Sequence, residues 1–96
     1  DEKRSRIEIE WDLQQGHVLH RHPWTRMAWR RAGKGARLYA AGHACALPVR
    51  DARAIAAAST FDGAAYAALS DQGRDVVYDL LLDGHYQLAG PDDGMP

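Results

Sequence analysis

A sharp chain reversal near the middle of the sequence lies between two short runs that favour β-strands. The runs cover residues 37–40 and 43–47, and Ala41-Gly42 lies between them. A two-residue loop containing glycine is typical of a tight hairpin, because glycine readily adopts the positive φ that such turns require. Pro48 follows the second run and ends it, since proline cannot donate a backbone hydrogen bond. The sequence therefore predicts a β-hairpin at this point.

Three short helices are predicted after the hairpin. The first is alanine-rich and covers residues 49–58. The second follows Asp62, a residue type that caps helix N-termini. The third follows a second N-cap candidate, Ser70, and ends at Gly84, which suits the left-handed conformation just beyond a helix. Apolar residues recur along the third helix at helical spacing: Val76, Val77, Leu80 and Leu81.

Short strands flank these helices. Residues 26–30 form one candidate, with Met27 and Trp29 on the same face, and residues 85–88 form another. The order of hairpin, three helices and strand indicates an α+β, winged-helix-like domain over residues 17–90. The glycine- and proline-containing end at 91–96 is predicted to be a flexible tail.

The N-terminal extension, residues 1–16, has a different pattern. Four apolar residues alternate with acidic ones: Ile7, Ile9, Trp11 and Leu13. This period of two favours a half-buried strand over 7–13, which gives the domain an N-terminal β extension. Helix is the competing interpretation, because Glu and Leu favour it.

Charge is unevenly distributed along the 96 residues, although the net charge is only −1. Residues 1–50 carry ten Lys and Arg against five Asp and Glu, whereas residues 51–96 carry two against eight. The third helix, which would read DNA in a winged helix, carries four aspartates: Asp71, Asp75, Asp79 and Asp83. Phosphate repels such a helix, so the sequence disfavours DNA as a partner.

No apolar run approaches the length of a membrane span, and the charged N-terminus does not resemble a signal peptide. The single cysteine cannot form an internal disulfide. We therefore expect a cytoplasmic protein that does not bind membranes.

Metal and catalytic sites have weak support in the sequence. Four residues of zinc-ligand type are the candidates: His20, His22, His43 and Cys45. Their spacing matches no zinc family, and the serines have no nucleophile motif around them. We predict no catalytic residue and no metal site in this chain.

Basic and aromatic residues are interleaved along the strand candidate near residue 26. Such a mixture can hold nucleic acid or an acidic protein surface, and the predicted protein-binding residues are Trp24, Arg26, Trp29 and Arg30. The competing interpretation is a strand whose tryptophans are core and whose arginines are solvated.

An ordered set of segments resembles one family. It comprises residues 22–29 (HPWTRMAW), 37–48 (RLYAAGHACALP), 49–53 (VRDAR), 62–64 (DGA) and 80–86 (LLLDGHY). Together they resemble the C-terminal winged-helix domain of bacterial cupin-type, JmjC-like ribosomal oxygenases, over residues 17–89. No family pattern is seen in residues 1–16.

The resemblance implies a specific context. Members of the family are Fe(II)- and 2-oxoglutarate-dependent oxygenases, and those characterised in bacteria hydroxylate an arginine of a large-subunit ribosomal protein. Their iron ligands lie in an N-terminal barrel, which a helical dimerisation region follows, so no catalytic residue transfers to this sequence. The resemblance thus implies Fe(II) and 2-oxoglutarate for a parent protein and no cofactor in this chain, with a dimer possible.

The leading hypothesis is a non-catalytic accessory domain that docks on its own catalytic domain or on a ribosomal protein substrate. The alternatives are a stand-alone interaction module or regulator that holds a peptide along a strand edge, a small metal-binding protein, and a DNA-binding winged helix.

Overall fold

The computed structural model describes residues 5–90, so the predicted tail at 91–96 lies outside the described residues. The elements of the described range follow one another in this order: α1 (Arg6–Gln14), β1 (Val18–Arg21), β2 (Met27–Ala32), β3 (Gly35–Ala40), β4 (His43–Leu47), α2 (Val49–Ala57), β5 (Thr60–Phe61), α3 (Gly63–Ala67), α4 (Asp71–Leu82) and β6 (Tyr86–Ala89).

The strands form two antiparallel sheets of three strands each. One has the order β5-β1-β6, and the other is the consecutive meander β2-β3-β4. The hairpin between β3 and β4 turns at Ala41 and Gly42, whose φ angles are 51° and 84°. Two positive φ values in a two-residue loop are the mark of a type I′ turn. The α+β prediction of a hairpin, three helices and a closing strand is confirmed, and the architecture is consistent with a winged helix.

The predicted strand over 7–13, and with it the N-terminal β extension, is wrong, because these residues belong to α1. Ser5 caps the helix: its hydroxyl accepts a hydrogen bond from the Glu8 amide at 3.2 Å, and the Glu8 carboxylate accepts one from the Ser5 amide at 2.9 Å. This reciprocal pair is a capping box, which satisfies donors that a helix start leaves unpaired.

The alternation of apolar residues misled the prediction because it contains a helical spacing. Ile9 and Leu13 are four residues apart, and both are buried in the core. Ile7 and Trp11 have the same spacing but lie on another face, where they are 77% and 59% exposed. A strand would place all four on one side, whereas the helix divides them into two pairs.

One hydrophobic core joins the helices and both sheets. Its largest fully buried apolar residues are Leu19 on β1, Leu38 on β3, Ile55 on α2, Phe61 on β5 and Val77 on α4. Because α1 contributes Ile9 and Leu13 to the same cluster, it is part of this packing unit.

Ion pairs also join α1 to α4. The Arg6 guanidinium contacts Asp71 at 2.7 Å, Glu10 at 2.9 Å and Asp75. These partners, Asp71 first, raise the pKa of Arg6. Tyr66 on α3 donates its hydroxyl hydrogen to Glu10 at 3.1 Å, and burial, followed by the charge of Glu10, raises the pKa of Tyr66. Three helices thus meet at one polar cluster.

Candidate protein-docking site

The loop between β1 and β2 holds Trp24 out into solvent. Its side chain is 87% exposed, the highest value among the large apolar residues described. Its backbone amide donates to Nδ1 of His22 at 3.2 Å, and the two rings meet edge to face at 5.6 Å between centroids. Tryptophan is one of the residue types most enriched among the hot spots of protein interfaces, so this side chain is a candidate contact.

Further hydrogen bonds tie this loop to the start of β6. The His22 amide donates to the His85 carbonyl at 2.8 Å, and the Thr25 hydroxyl and His85 Nδ1 share a hydrogen bond of 3.0 Å. The Thr25 amide closes the turn onto the His22 carbonyl at 3.0 Å. The loop therefore presents Trp24 in a defined position.

A groove runs beside Trp24 between the two sheets. Arg26 and His85 line it together with the Ala41-Gly42 turn. The structure thus brings two of the predicted residues, Trp24 and Arg26, to one surface. The contribution of His85 and of the hairpin turn was not predicted, because it depends on contacts between residues far apart in the sequence.

Trp29 does not belong to this surface. It is partly buried and packs against the core, and the Arg53 guanidinium lies 5.6 Å from its ring centroid. A cation over the ring face is a stabilising contact within the domain. Trp29 therefore lies at the edge of the core, on the strand that packs against α2.

Arg30 lies on the opposite face of β2 from Trp29, because side chains alternate along a strand. Its Nε donates to the Tyr39 hydroxyl at 3.0 Å, and its guanidinium lies 5.9 Å from the Tyr39 ring centroid. The four predicted contact residues are therefore distributed over three surroundings: the groove, the core edge and the outer face of the β2-β3-β4 sheet.

The four metal-ligand candidates lie on different sheets or loops. His20 is on β1 and His22 follows that strand, whereas His43 and Cys45 belong to β4 of the other sheet. Across residues 5–90, no group of three or more His, Cys, Asp or Glu is arranged to hold a metal ion. The described part of the chain therefore does not fit an iron or zinc centre.

Helix α4 carries three of the predicted acidic residues, and Asp83 is its C-cap. Asp71 and Asp75 are paired with Arg6, and Asp79 and Asp83 are exposed. In the range that the structure describes, no helix is long and apolar enough to cross a membrane.

Comparison with known protein families identifies the domain. The family model of the ROXA-like winged helix matches residues 2–87, which include α1 and nearly the whole described fold. The searches of the curated proteins and of the solved structures each found no match. Because the family model covers most of the sequence, the chain belongs to the ROXA-like winged helix family, a domain associated with ribosomal oxygenases.

Proposed function

We propose that this chain is a non-catalytic accessory domain that docks a protein partner through Trp24 and Arg26, within a protein that resembles a 2-oxoglutarate-dependent ribosomal oxygenase. The observation that carries the proposal is the 87% exposed Trp24 on a loop held by hydrogen bonds. Exposed tryptophan and arginine are the residue types that contribute most binding energy at protein interfaces. Membership of the ROXA-like winged helix family supports the oxygenase context.

The chemistry in this proposal belongs to the parent protein. Because residues 5–90 contain no group of three or more His, Cys, Asp or Glu that could hold a metal ion, Fe(II) and 2-oxoglutarate would bind in the catalytic domain. The partner is that catalytic domain or the ribosomal protein substrate, and the setting is the bacterial cytoplasm. DNA is not the proposed partner, because the three aspartates of α4 and Asp83 at its C-cap would repel phosphates.

We favour the surface around Trp24 as the docking site over the surface around Trp11, a second exposed tryptophan. Trp11 lies on α1 with Ile7, and both are exposed on a helix that is attached to the domain along its other face. Trp24, by contrast, borders a groove that also contains Arg26. Trp11→Ala is therefore the matched comparison, since it removes an exposed tryptophan at a different place.

The test measures hydroxylation of arginine in intact large-subunit ribosomal proteins by the whole gene product, using mass spectrometry. We expect Trp24→Ala to lower kcat/KM for the intact protein about tenfold or more, as loss of an interface anchor does, through KM. Turnover of a short arginine peptide stays unchanged, and so does the activity of Trp11→Ala. Equal effects of the two tryptophan variants, or no hydroxylation by the unaltered protein, would contradict the proposal.

A further inference from the structure

The strand β4 forms one edge of its sheet. Within residues 5–90 it pairs with β3 alone. The two-residue turn makes Ala40 and His43 a hydrogen-bonded pair, and the pairing alternates from there. The outward amides and carbonyls are therefore those of Ala44 and Ala46, whose side chains are also exposed.

This edge strand, which α4 contacts, lacks the charged residues and prolines that protect many sheet edges. The sequence of β4 is HACAL, with no lysine, no proline and no other residue with a full charge. Sheet edges that are not protected by charge, proline or a bulge accept an added strand. The other edge strand, β2, carries Arg30 and Arg31, and charged residues of this kind protect a sheet edge.

The outer face next to this edge is basic. Arg37 on β3 lies directly across from Ala46 on one side and from Arg30 on the other. Like charges at facing positions of a sheet repel each other. No carboxylate among the described residues forms an ion pair with Arg30 or Arg37, and the sequence has no Asp or Glu between Asp12 and Asp51.

The small side chain of Ala46 leaves the path from the edge to Arg37 open. Strands lie about 4.8 Å apart, so a strand added to β4 would lie roughly 10 Å from β3. A glutamate on the added strand and Arg37 can meet above Ala46, because their combined side-chain length spans that separation.

From these observations we propose that the outer edge of β4 binds an extended acidic segment of a partner protein as an added strand. Backbone hydrogen bonds to Ala44 and Ala46 fix the register of the added strand, and the charge of Arg37 favours acidic side chains on it. Ala44, Ala46 and Arg37 do not line the groove at Trp24, so this proposal does not rest on the docking function proposed above.

Charge and composition favour this occupant over two others. A second copy of the chain pairing through β4 would contribute no acidic residue and would add its own Arg37 to the same face. A single-stranded nucleic acid needs exposed aromatic rings for base stacking. Tyr39, the aromatic side chain of this face, is engaged by Arg30.

The experiment uses the 96-residue chain and a blocked peptide of alternating Glu and Val, followed by NMR of the backbone amides. We expect the largest shifts at Ala44 and Ala46, together with slower hydrogen exchange at these two amides. A peptide of alternating Lys and Val is the matched probe, and it should bind at least about tenfold more weakly because of the basic face.

Three variants separate the roles. Ala46→Pro removes one outward amide at a position where proline is tolerated, and we expect binding to fall about tenfold with the fold retained. Arg37→Ala should lower the affinity for the acidic peptide. It should also make that affinity less dependent on salt concentration, because one charge of the basic face is lost. Arg31→Ala is the control, because Arg31 follows Arg30 on β2 and lies on the other face of the sheet. We expect this variant to bind the acidic peptide with the same affinity as the unaltered chain.

Several results would overturn the proposal. Shifts centred on Trp24, equal binding of the two peptides, or an Ala46→Pro variant that binds normally would each exclude the edge as the site. Protection of Ala44 and Ala46 that grows with protein concentration in the absence of peptide would identify a second copy as the occupant instead.

Discussion

The buried carboxylate of Asp51 accepts hydrogen bonds from both the amide and the hydroxyl of Ser70, the residue that caps α4. The amide contact is 3.1 Å, and the Asp51 side chain is fully buried. Asp51 itself lies in the first turn of α2. One carboxylate therefore faces the N-termini of two helices, where the partial positive charge of the helix dipole favours an anion.

Replacing Asp51 should destabilise the domain strongly. Asp51→Ala leaves the Ser70 amide without its partner and opens space between α2 and α4, so we expect the free energy of unfolding to fall by about 3 kcal/mol. Asp51→Asn keeps one side-chain oxygen as a hydrogen-bond acceptor, so it should lower the free energy of unfolding by less. Urea unfolding checks both, with Asp79→Ala on the exposed side of α4 as the control. A loss for Asp51→Ala as small as that of the control would contradict this role.

Gly73 lies against the same carboxylate. A Cβ at this position would be 2.9 Å from Cγ of Asp51 and 3.2 Å from Cβ of Leu69. Gly→Ala inside a helix normally stabilises by about 1 kcal/mol. Here we expect Gly73→Ala to lower the free energy of unfolding, because the added methyl displaces Asp51. The neighbouring exposed Gln72→Ala is the control, and thermal unfolding that showed a rise in Tm for Gly73→Ala would refute the argument.

The ion pair between Arg6 and Asp71 predicts an acid-sensitive attachment of α1. Hydrogen bonding to Arg6 lowers the pKa of Asp71 below its usual value of 3.8. A group whose folded-state pKa is lowered stabilises the fold above its unfolded pKa, and that contribution is lost as the pH falls through the folded pKa.

We therefore expect the native protein to lose more unfolding free energy than Asp71→Asn between about pH 5 and about pH 2. Urea titrations at several pH values measure the difference. Asp83→Asn is the matched control, because Asp83 is an exposed aspartate at the C-terminal end of α4. Identical pH profiles for the native protein and Asp71→Asn would show that the pair contributes nothing.

The hairpin turn stores backbone strain at Ala41. Its φ of 51° lies in the left-handed region, which costs an L-residue roughly 1–2 kcal/mol and costs glycine little. We expect Ala41→Gly to raise the free energy of unfolding by about 1 kcal/mol. Ala28→Gly, at an extended position of β2, should instead lower it. Thermal unfolding of the two variants gives the comparison, and equal losses would exclude strain at the turn.

Much of the second half of the fold was predictable because its signals are local. Ser70 and Asp62 cap the helices that were predicted after them, and Gly84 follows α4 with a φ of 89°. The hairpin was predictable from Ala41-Gly42 and Pro48 for the same reason. Each signal acts within a few residues along the chain.

Features that depend on contacts between residues far apart in the sequence could not be predicted. Helix α1 has its own local signal, the Ser5 and Glu8 capping box, but the alternation of apolar residues obscured it. The burial of Trp29 depends on α2, and that of Asp51 depends on α4, so neither follows from neighbouring residues. The groove beside Trp24 likewise requires β1, β6 and the hairpin turn to come together.

The most direct test of the docking surface is photocrosslinking from position 24 in the source cells. A photoreactive phenylalanine analogue replaces Trp24 in one variant of the whole gene product and Trp11 in another, and mass spectrometry identifies the joined peptides. We predict crosslinks from position 24 to a ribosomal protein or to the catalytic domain of the parent protein, well above those from position 11. Crosslinks that are no stronger from position 24 than from position 11 would contradict the account.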